Sequence, residues 1–207
     1  MMSDHLKTPA PYRSKRAFDI SVAALALIVA APAMAIIAVL VRLTSSGPAI
    51  HRAIRAGQHG LPFTLYKFRS MRTTSGEVGS LITAAGDPRV TRVGKVLRAS
   101  KLDELPQLVN VVRGEMSIVG PRPEDLAYVS RYTDNQRRIL DWRPGITSPA
   151  SIEYRHEEAI LQSADDLDTA YMTIADAKIR LDLAYFATST LRADLGIIVK
   201  TVRSIFT

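Results

Sequence analysis

Residues 20–41 read ISVAALALIVAAPAMAIIAVLV, a run in which no side chain is charged. A helix of about 20 apolar residues can cross the hydrocarbon core of a bilayer, so the run predicts a membrane-associated helix. Pro32 lies near the middle of the run, where a proline removes one backbone hydrogen bond and bends the helix. The run therefore predicts a bent membrane helix rather than a straight one.

Basic side chains flank this run on both sides, at Arg13, Lys15, Arg16, Arg42, Arg52 and Arg55. Cytoplasmic flanks of membrane segments are enriched in Lys and Arg. Two basic flanks therefore favour a re-entrant hairpin over residues 14–43, which enters the bilayer, bends at Pro32 and returns to the same face. A plain transmembrane anchor is an open alternative. A signal peptide is another, because Ala33-Met34-Ala35 resembles a cleavage site.

The composition suits a protein at a membrane surface. The chain has 207 residues, enough for one compact domain, and combines 47% hydrophobic residues with a net charge of +7. Basic surface can contact anionic headgroups or phosphates, and nucleic acid is the alternative partner. The absence of cysteine excludes disulfides, thiolate metal sites and cysteine nucleophiles, and four scattered histidines disfavour a zinc site.

Local patterns predict a small β-hairpin after the membrane segment. Residues 49–54 and 63–68 have strand character, and a connection containing glycine and proline joins them. Residues 73–87 are polar and contain several glycines, which predicts a loop.

Helical spacing of apolar residues accounts for most of the remaining chain. It predicts helical structure over 90–112 with a break near Pro106, and again over 124–140, 174–185 and 195–206. The last two segments carry Lys or Arg beside an apolar stripe. Such a stripe is typical of helices in a membrane interface and also of ordinary core-facing helices. The expected fold is thus mixed α and β, and mostly helical.

Asp103 and Glu104 are the first candidates for chemistry, because they are adjacent carboxylates among apolar residues. Adjacent carboxylates resist being ionised together. One can act as nucleophile or base while the other holds a divalent cation, provided that neighbouring cations offset the charge. A solvated Asp–Glu pair on a helix surface is the alternative interpretation.

Cationic residues near this dyad in sequence are candidates for binding phosphate. Arg98 precedes the dyad, and Arg122 lies between two prolines in Gly120-Pro121-Arg122-Pro123. Lys67 and Arg69 alternate with aromatic or small residues, so a strand would place both on one face. Nucleic-acid binding would use similar residues, and a solvated basic strand is a further alternative.

Five segments in this order resemble the monotopic phosphoglycosyl transferases of the bacterial sugar transferase family, in its small type that consists of the catalytic domain. They are Lys15-Arg16-Ala17-Phe18-Asp19, the run containing Pro32, Tyr66-Lys67-Phe68-Arg69-Ser70-Met71, Leu102-Asp103-Glu104-Leu105-Pro106-Gln107-Leu108-Val109-Asn110-Val111 and Gly120-Pro121-Arg122-Pro123. The resemblance covers almost the whole chain.

The resemblance implies one domain over residues 1–207, with a re-entrant segment at 14–43 and a cytosolic catalytic part at 44–207, at the bacterial inner membrane. It implies amphipathic interfacial helices around the active site. It also implies a two-step reaction, in which Asp103 attacks the β-phosphate of a UDP-sugar and releases UMP. A polyprenyl phosphate, such as undecaprenyl phosphate, then attacks the aspartyl phosphosugar, which initiates synthesis of a membrane glycan.

The same resemblance implies roles for individual residues and partners. Asp103 and Glu104 would be catalytic, Glu104 would bind Mg²⁺, and the phosphates would lie near Arg98, Arg122, Lys67 and Arg69. The partners would be the UDP-sugar, the polyprenyl phosphate and membrane lipid, without nucleic acid. A homodimer is an open alternative to a monomer.

The chain departs from the family pattern at three places. It has Ala31 where members commonly have Ser before the proline, and Lys101 where many have Thr or Ser before Leu-Asp-Glu. Residues 144–155 also differ, and this region bears on the choice of sugar. The dyad is intact, so these departures concern the substrate more than the reaction class.

The acidic and basic residues have three other interpretations. A non-enzymatic membrane-surface protein would use its basic patches for anionic lipid or nucleic acid, and a phosphohydrolase would use water as the acceptor. The acidic groups Glu157-Glu158 and Asp165-Asp166-Asp168 suggest a metal site, but solvated helix ends and caps explain them better.

Overall fold

The structure is a computed structural model that describes residues 14–72 and 86–206, without the side chains of 205 and 206. Arg13 and most of the loop predicted over 73–87 lie outside the described residues. Helix α1 spans Lys15–Thr44 without interruption and contains Pro32. Within the described ranges it is the one helix long and apolar enough to cross a membrane. The predicted membrane-associated helix is therefore present.

Both ends of α1 pack against the rest of the chain. Near its N-terminal end, the fully buried carboxylate of Asp19 accepts hydrogen bonds from the Ser117 hydroxyl (2.8 Å) and the Ile118 backbone N–H (3.2 Å). Near its C-terminal end, Ile37 and Val41 lie in an apolar cluster with other elements. Because α1 supplies buried groups to the fold, the structure disfavours the interpretation of this segment as a cleaved signal peptide.

Apolar side chains point outward along the middle of α1, at Leu25, Ile28, Val29 and Ile36. A face of this kind is suited to lipid rather than to water. The helix is not divided into two by a turn at Pro32, so the re-entrant hairpin stays a prediction.

The predicted β-hairpin is confirmed. Strands β1 (Ile50–Ala56) and β2 (Pro62–Phe68) pair antiparallel, and a short 3₁₀ turn (Gln58–Gly60) lies between them. The buried amide of Asn110 joins β2 to the helix behind it. Its nitrogen donates to the Thr64 carbonyl (2.7 Å), and its oxygen accepts from the Tyr66 backbone N–H (3.2 Å).

The helical segment predicted over 90–112 forms three pieces, namely helix α2 (Arg92–Ala99), a 3₁₀ turn (Leu102–Glu104) and helix α3 (Gln107–Arg113). The Thr91 hydroxyl caps α2 by accepting from the Gly94 backbone N–H at 2.8 Å. The break precedes Pro106 and contains the acidic dyad.

The structure contains a parallel pair of short strands, β3 (Ser117–Val119) and β4 (Gly145–Thr147), which was not predicted from the sequence. Backbones meet here at Gly120 and Gly145. A Cβ built on Gly120 would lie 2.3 Å from the Arg143 carbonyl oxygen, and one on Gly145 would lie 2.1 Å from the Gly120 nitrogen. Only glycine permits this approach, which fixes the start of the segment carrying Arg122.

The prediction of one helical stretch over 124–140 is wrong in detail. Helices α4 (Leu126–Val129) and α5 (Asp134–Arg137) are separate, and a 3₁₀ turn (Arg138–Asp141) follows. Thr133 begins α5 with a capping box that it forms with Gln136, so the chain starts a new helix there.

Four further helices complete the described chain, α6 (Pro149–Glu153), α7 (Glu157–Gln162), α8 (Leu167–Phe186) and α9 (Leu191–Phe206). The last two confirm the predicted C-terminal helices and extend them towards the N-terminus. Asp166 caps α8, as predicted. The fold is therefore mostly helical with two small β elements, as expected.

Candidate active site

The dyad lies in the 3₁₀ turn between α2 and α3, where the chain reverses. Lys101 precedes this turn and has a left-handed backbone with φ of 56°. This turn directs both carboxylates inward, so Asp103 is 6% exposed and Glu104 is 8% exposed. The alternative of a solvated pair on a helix surface is therefore wrong.

Two cations bind one oxygen of Glu104. Its Oε1 accepts hydrogen bonds from Lys67 Nζ and from an Arg122 guanidinium nitrogen, each at 3.0 Å. Burial alone would raise the pKa of Glu104, but the charges of Arg122 and Lys67 outweigh it and hold the pKa well below its ordinary range. Glu104 is therefore a fixed negative charge that brings β2 and the Arg122 segment together.

Asp103 has a different environment. Burial raises the pKa of Asp103, the charge of Lys67 opposes that rise, and the charge of Glu104 adds to it. Its Oδ1 is buried and has no hydrogen-bond partner among the described residues. An unpaired buried oxygen is costly for the fold, and such groups often mark functional sites. Asp103 thus has a buried oxygen available for chemistry.

Arg98 extends from α2 to α7, where its guanidinium pairs with the carboxylate of Glu158. The neighbouring Glu157 pairs with Lys178 of α8 at 2.8 Å, and its charge acts on Arg122. Both glutamates lie in the first turn of α7, as predicted for a helix end. They are not simply solvated, because each forms an ion pair and the side chain of Glu157 is only 20% exposed. Sequence spacing gave no signal for this contact.

Among the described residues, no hydrogen bond joins Arg69 to the dyad. Its guanidinium is buried at the C-terminal end of α1 and donates to the Ser45 carbonyl (2.7 Å) and the Ser45 hydroxyl (3.2 Å). Lys67 and Arg69 thus reach different parts of the fold, although their spacing predicted one shared face. This geometry gives Arg69 a structural contact, whereas Lys67, Arg98 and Arg122 lie around the acidic turn.

The acidic dyad offers carboxylate oxygens of the kind that bind magnesium. The described ranges contain no cluster of three or more carboxylate or histidine ligands, so the fold has no preformed metal cage there. Magnesium is usually held by one or two carboxylates together with substrate phosphates and water. Glu104 and the unpaired oxygen of Asp103 fit that mode of binding.

A small cavity adjoins Arg122. Mostly apolar side chains line it, with Glu124 and Tyr132 as polar members, and the other lining residues are Ala56, Gly57, Pro121, Ile139, Leu140, Trp142 and Pro144. This cavity was not predicted from the sequence, in which Trp142 is the single tryptophan.

A family model described as bacterial sugar transferase matches residues 11–207. The chain belongs to the bacterial sugar transferase family. The match spans α1, the dyad and both segments that supply cations to Glu104, so the site of this sugar transferase lies wholly within it.

Several relatives of this sugar transferase carry informative names. The chain is 38% identical over 198 residues to the UDP-N-acetylgalactosamine-undecaprenyl-phosphate N-acetylgalactosaminephosphotransferase of Aeromonas hydrophila. It is 37% identical over 199 residues to the UDP-glucose:undecaprenyl-phosphate glucose-1-phosphate transferase of Caulobacter vibrioides, and 37% over 201 residues to the exopolysaccharide production protein PSS of Rhizobium leguminosarum.

These alignments cover 93%, 93% and 92% of this sugar transferase. They cover 44% of the Aeromonas protein, 70% of the Caulobacter protein and 94% of the Rhizobium protein. The chain therefore spans less than half of the first relative and nearly all of the third.

Proposed function

We propose that this protein transfers a sugar-1-phosphate from a UDP-sugar to undecaprenyl phosphate, through a covalent intermediate on Asp103, and so initiates synthesis of a membrane glycan. The observation that carries this proposal is the unpaired, buried oxygen of Asp103 beside a Glu104 that two cations hold ionised. The names of the relatives support the donor and acceptor classes.

In the first step, an oxygen of Asp103 attacks the β-phosphorus of the donor. The bond from that phosphorus to the oxygen of the UMP moiety breaks, and UMP leaves with the electron pair. The attacking carboxylate must be ionised, which its raised pKa makes dependent on pH. Arg122 can stabilise the charge that develops on the phosphate oxygens, because its guanidinium already lies at the dyad.

In the second step, a phosphate oxygen of the acceptor attacks the phosphorus of the phosphosugar. The bond to Asp103 breaks, the carboxylate is restored and the lipid carries a diphosphate sugar. Splitting one transfer into two displacements in this way is what covalent catalysis provides. A phosphohydrolase would instead use water here, so a requirement for the lipid separates the two reactions.

Magnesium is part of the proposal, with Glu104 as its principal ligand. When bound, the ion would neutralise negative charge on the diphosphate. Lys67 and Arg122 would orient the Glu104 carboxylate for this role, because both form ion pairs with it.

We also propose the re-entrant topology and a cytosolic catalytic part. A helix that crosses a bilayer separates its ends by about 30 Å of hydrocarbon. Here one end of α1 contacts α3 and β3, the other contacts β2 and α2, and the middle exposes apolar side chains. Helix α9 adds exposed Leu195, Val199 and Val202 on one face, in keeping with an interfacial helix.

The topology can be tested by labelling, because the chain has no cysteine. Single cysteines at the exposed Ser14 and Ser46 would flank α1. In intact spheroplasts, we expect an impermeant maleimide to label neither position until the membrane is opened. Labelling of one position and not the other would mean that α1 spans the membrane.

The activity is tested by UMP release from a panel of UDP-sugars, with and without Mg²⁺ and undecaprenyl phosphate. We expect sustained release from the intact chain with both additions, and none above background from Asp103→Asn. Asp165→Asn, an exposed aspartate outside the site, serves as the matched control and should behave as the intact chain does. UMP release that survives in Asp103→Asn would contradict the proposed nucleophile.

The intermediate needs a separate measurement. With a donor labelled in the sugar and no acceptor, label should remain on the denatured intact chain and be absent from Asp103→Asn. Release of labelled sugar phosphate into water without lipid would favour the hydrolase.

A further inference from the structure

Lys101 differs from the other cations around the dyad. Lys67 and Arg122 bind Glu104, and Arg98 binds Glu158. The ammonium of Lys101 is exposed and forms no ion pair within residues 14–72 and 86–206. Lys101 is therefore a cation at the site whose charge is not already committed to a protein carboxylate.

The backbone fixes Lys101 beside the carboxylates. Its φ of 56° is unusual for a residue with a side chain. The conformation is held on both sides, because the Lys101 N–H donates to the Arg98 carbonyl (3.2 Å) and the Lys101 carbonyl accepts from the Glu104 N–H (3.1 Å). The charge of Lys101 reaches the dyad, since it lowers the pKa of both carboxylates against the stronger effect of burial.

Apolar surface lies next to Lys101. Leu102 is partly exposed, and Val96, on the preceding helix α2, is 66% exposed. Leu97, the next residue of α2, is buried in one apolar cluster with Ile37 and Val41 of α1, the helix that carries the exposed apolar face. Lys101 thus follows a helix that packs on α1 and exposes apolar surface, and it precedes the buried Asp103 in the acidic turn.

We propose that Lys101 binds the phosphate of the polyprenyl acceptor and directs it towards the phosphosugar on Asp103, an inference that rests on the proposed function. The acceptor is an amphiphile whose apolar chain suits the surface of α1 and α2 and whose phosphate needs a cation. In the second step, that phosphate approaches a phosphosugar and Glu104, which are both negative. The ammonium of Lys101, which has no carboxylate partner within the described ranges, offsets this repulsion. Lys101 itself forms and breaks no bond in the transfer.

The two half-reactions separate this role from the first chemical step. Lys101→Gln removes the charge and keeps most of the side chain, Lys101→Arg keeps the charge, and Lys95→Gln removes a matched exposed charge from α2. We expect Lys101→Gln to raise the KM for undecaprenyl phosphate about tenfold, the effect of losing one charge-assisted contact. The single burst of UMP formed without acceptor should keep its amplitude. Lys101→Arg should recover most of the acceptor affinity, and Lys95→Gln should match the intact chain.

Vesicle binding distinguishes a general attraction of the protein to membranes from recognition of the acceptor phosphate. All four proteins should bind vesicles of neutral and anionic phospholipid without undecaprenyl phosphate to within about twofold of one another. The role of Lys101 would be overturned by equal losses of acceptor affinity in Lys101→Gln and Lys95→Gln, or by an unchanged KM in Lys101→Gln. Neither result would affect the proposed function. Absence of UMP from the intact chain with every donor would instead overturn the proposed function, and this inference with it.

Discussion

Lys15 and Asp194 form an ion pair with a separation of 2.6 Å between the first helix and the last. The Asp19 carboxylate lies 3.6 Å from the same ammonium. Asp19 and Asp194 are 0% and 1% exposed, so one lysine offsets the charge of two buried carboxylates. Since α1 carries the apolar run and α9 an exposed apolar face, this contact joins the two elements that we expect to meet lipid.

Replacing Lys15 by Met should destabilise the fold, because it removes the ammonium that the buried carboxylates of Asp19 and Asp194 share. Breaking a buried pair by removing one partner costs about 3 kcal/mol or more. The measurement is thermal unfolding of the detergent-solubilised protein, followed by circular dichroism. Lys95→Met, an exposed lysine, is the control and should unfold near the temperature of the intact chain. The double variant Lys15→Met with Asp194→Asn should regain part of the lost unfolding temperature. An unchanged unfolding temperature in Lys15→Met alone would mean that the pair does not stabilise the fold.

Arg69→Lys should lower stability more than it lowers catalysis. Lysine cannot reproduce the contacts that the guanidinium makes with the carbonyl and hydroxyl of Ser45, so the junction after α1 loses hydrogen bonds worth about 1 kcal/mol each. The unfolding temperature and the kcat/KM for the donor are measured together, with Arg122→Lys as the comparison. A large loss of kcat/KM in Arg69→Lys at an unchanged unfolding temperature would return Arg69 to the phosphate site predicted from sequence.

The long helices α1, α8 and α9 and the hairpin could be predicted because their signals are local. A charge-free run around Pro32 is visible over a few turns of helix, and two strand-like segments joined by a glycine-containing connection indicate a hairpin. The dyad could be predicted as a candidate site because two adjacent carboxylates among apolar residues are electrostatically unfavourable unless they have a function.

Contacts that depend on tertiary packing could not be predicted. Strands β3 and β4 are short and pair across the α4–α5 region, so nothing local distinguishes them from loops. The contact of Arg98 with Glu158 joins two helices far apart in the chain. Arg69 shows the limit of a periodic argument, because β2 ends at Phe68 and the following side chain extends to α1 instead of the dyad.

Glu158→Gln should strengthen binding of the donor. Glu158 pairs with Arg98 and therefore competes with a phosphate for that guanidinium. Half-exposed ion pairs contribute up to about 1 kcal/mol, so the KM for the UDP-sugar should fall by no more than about fivefold. Asp168→Asn breaks a comparably exposed pair with Arg131 and is the control. A higher KM in Glu158→Gln would mean that Glu158 contributes to donor binding instead of opposing it.

Asp182 should make stability depend on pH. It is buried in α8, and its Oδ1 accepts from the Ala150 N–H (3.0 Å) at the start of α6. Burial raises the pKa of Asp182 from 3.8 to about 6, against the opposing hydrogen bonds from Ala150 and Ser148. Because the folded state holds the proton more tightly than the unfolded state, the stabilisation is complete below pH 3.8 and is lost as the pH rises through about 6.

Asp182→Asn keeps an oxygen that can accept from Ala150 but cannot ionise. We therefore expect the free energy of unfolding of Asp182→Asn to gain about 2 kcal/mol over that of the intact chain as the pH rises from 4 to 7.5. A pKa shift of about two units implies a change of this size. Unfolding temperatures measured across this range, with the exposed Asp165→Asn as control, test the expectation. If the curves of Asp182→Asn and the intact chain run parallel, the buried carboxyl does not change its protonation in that range. If they diverge, Asp182 titrates in the folded state, and the stability of the contact between α8 and the start of α6 depends on pH.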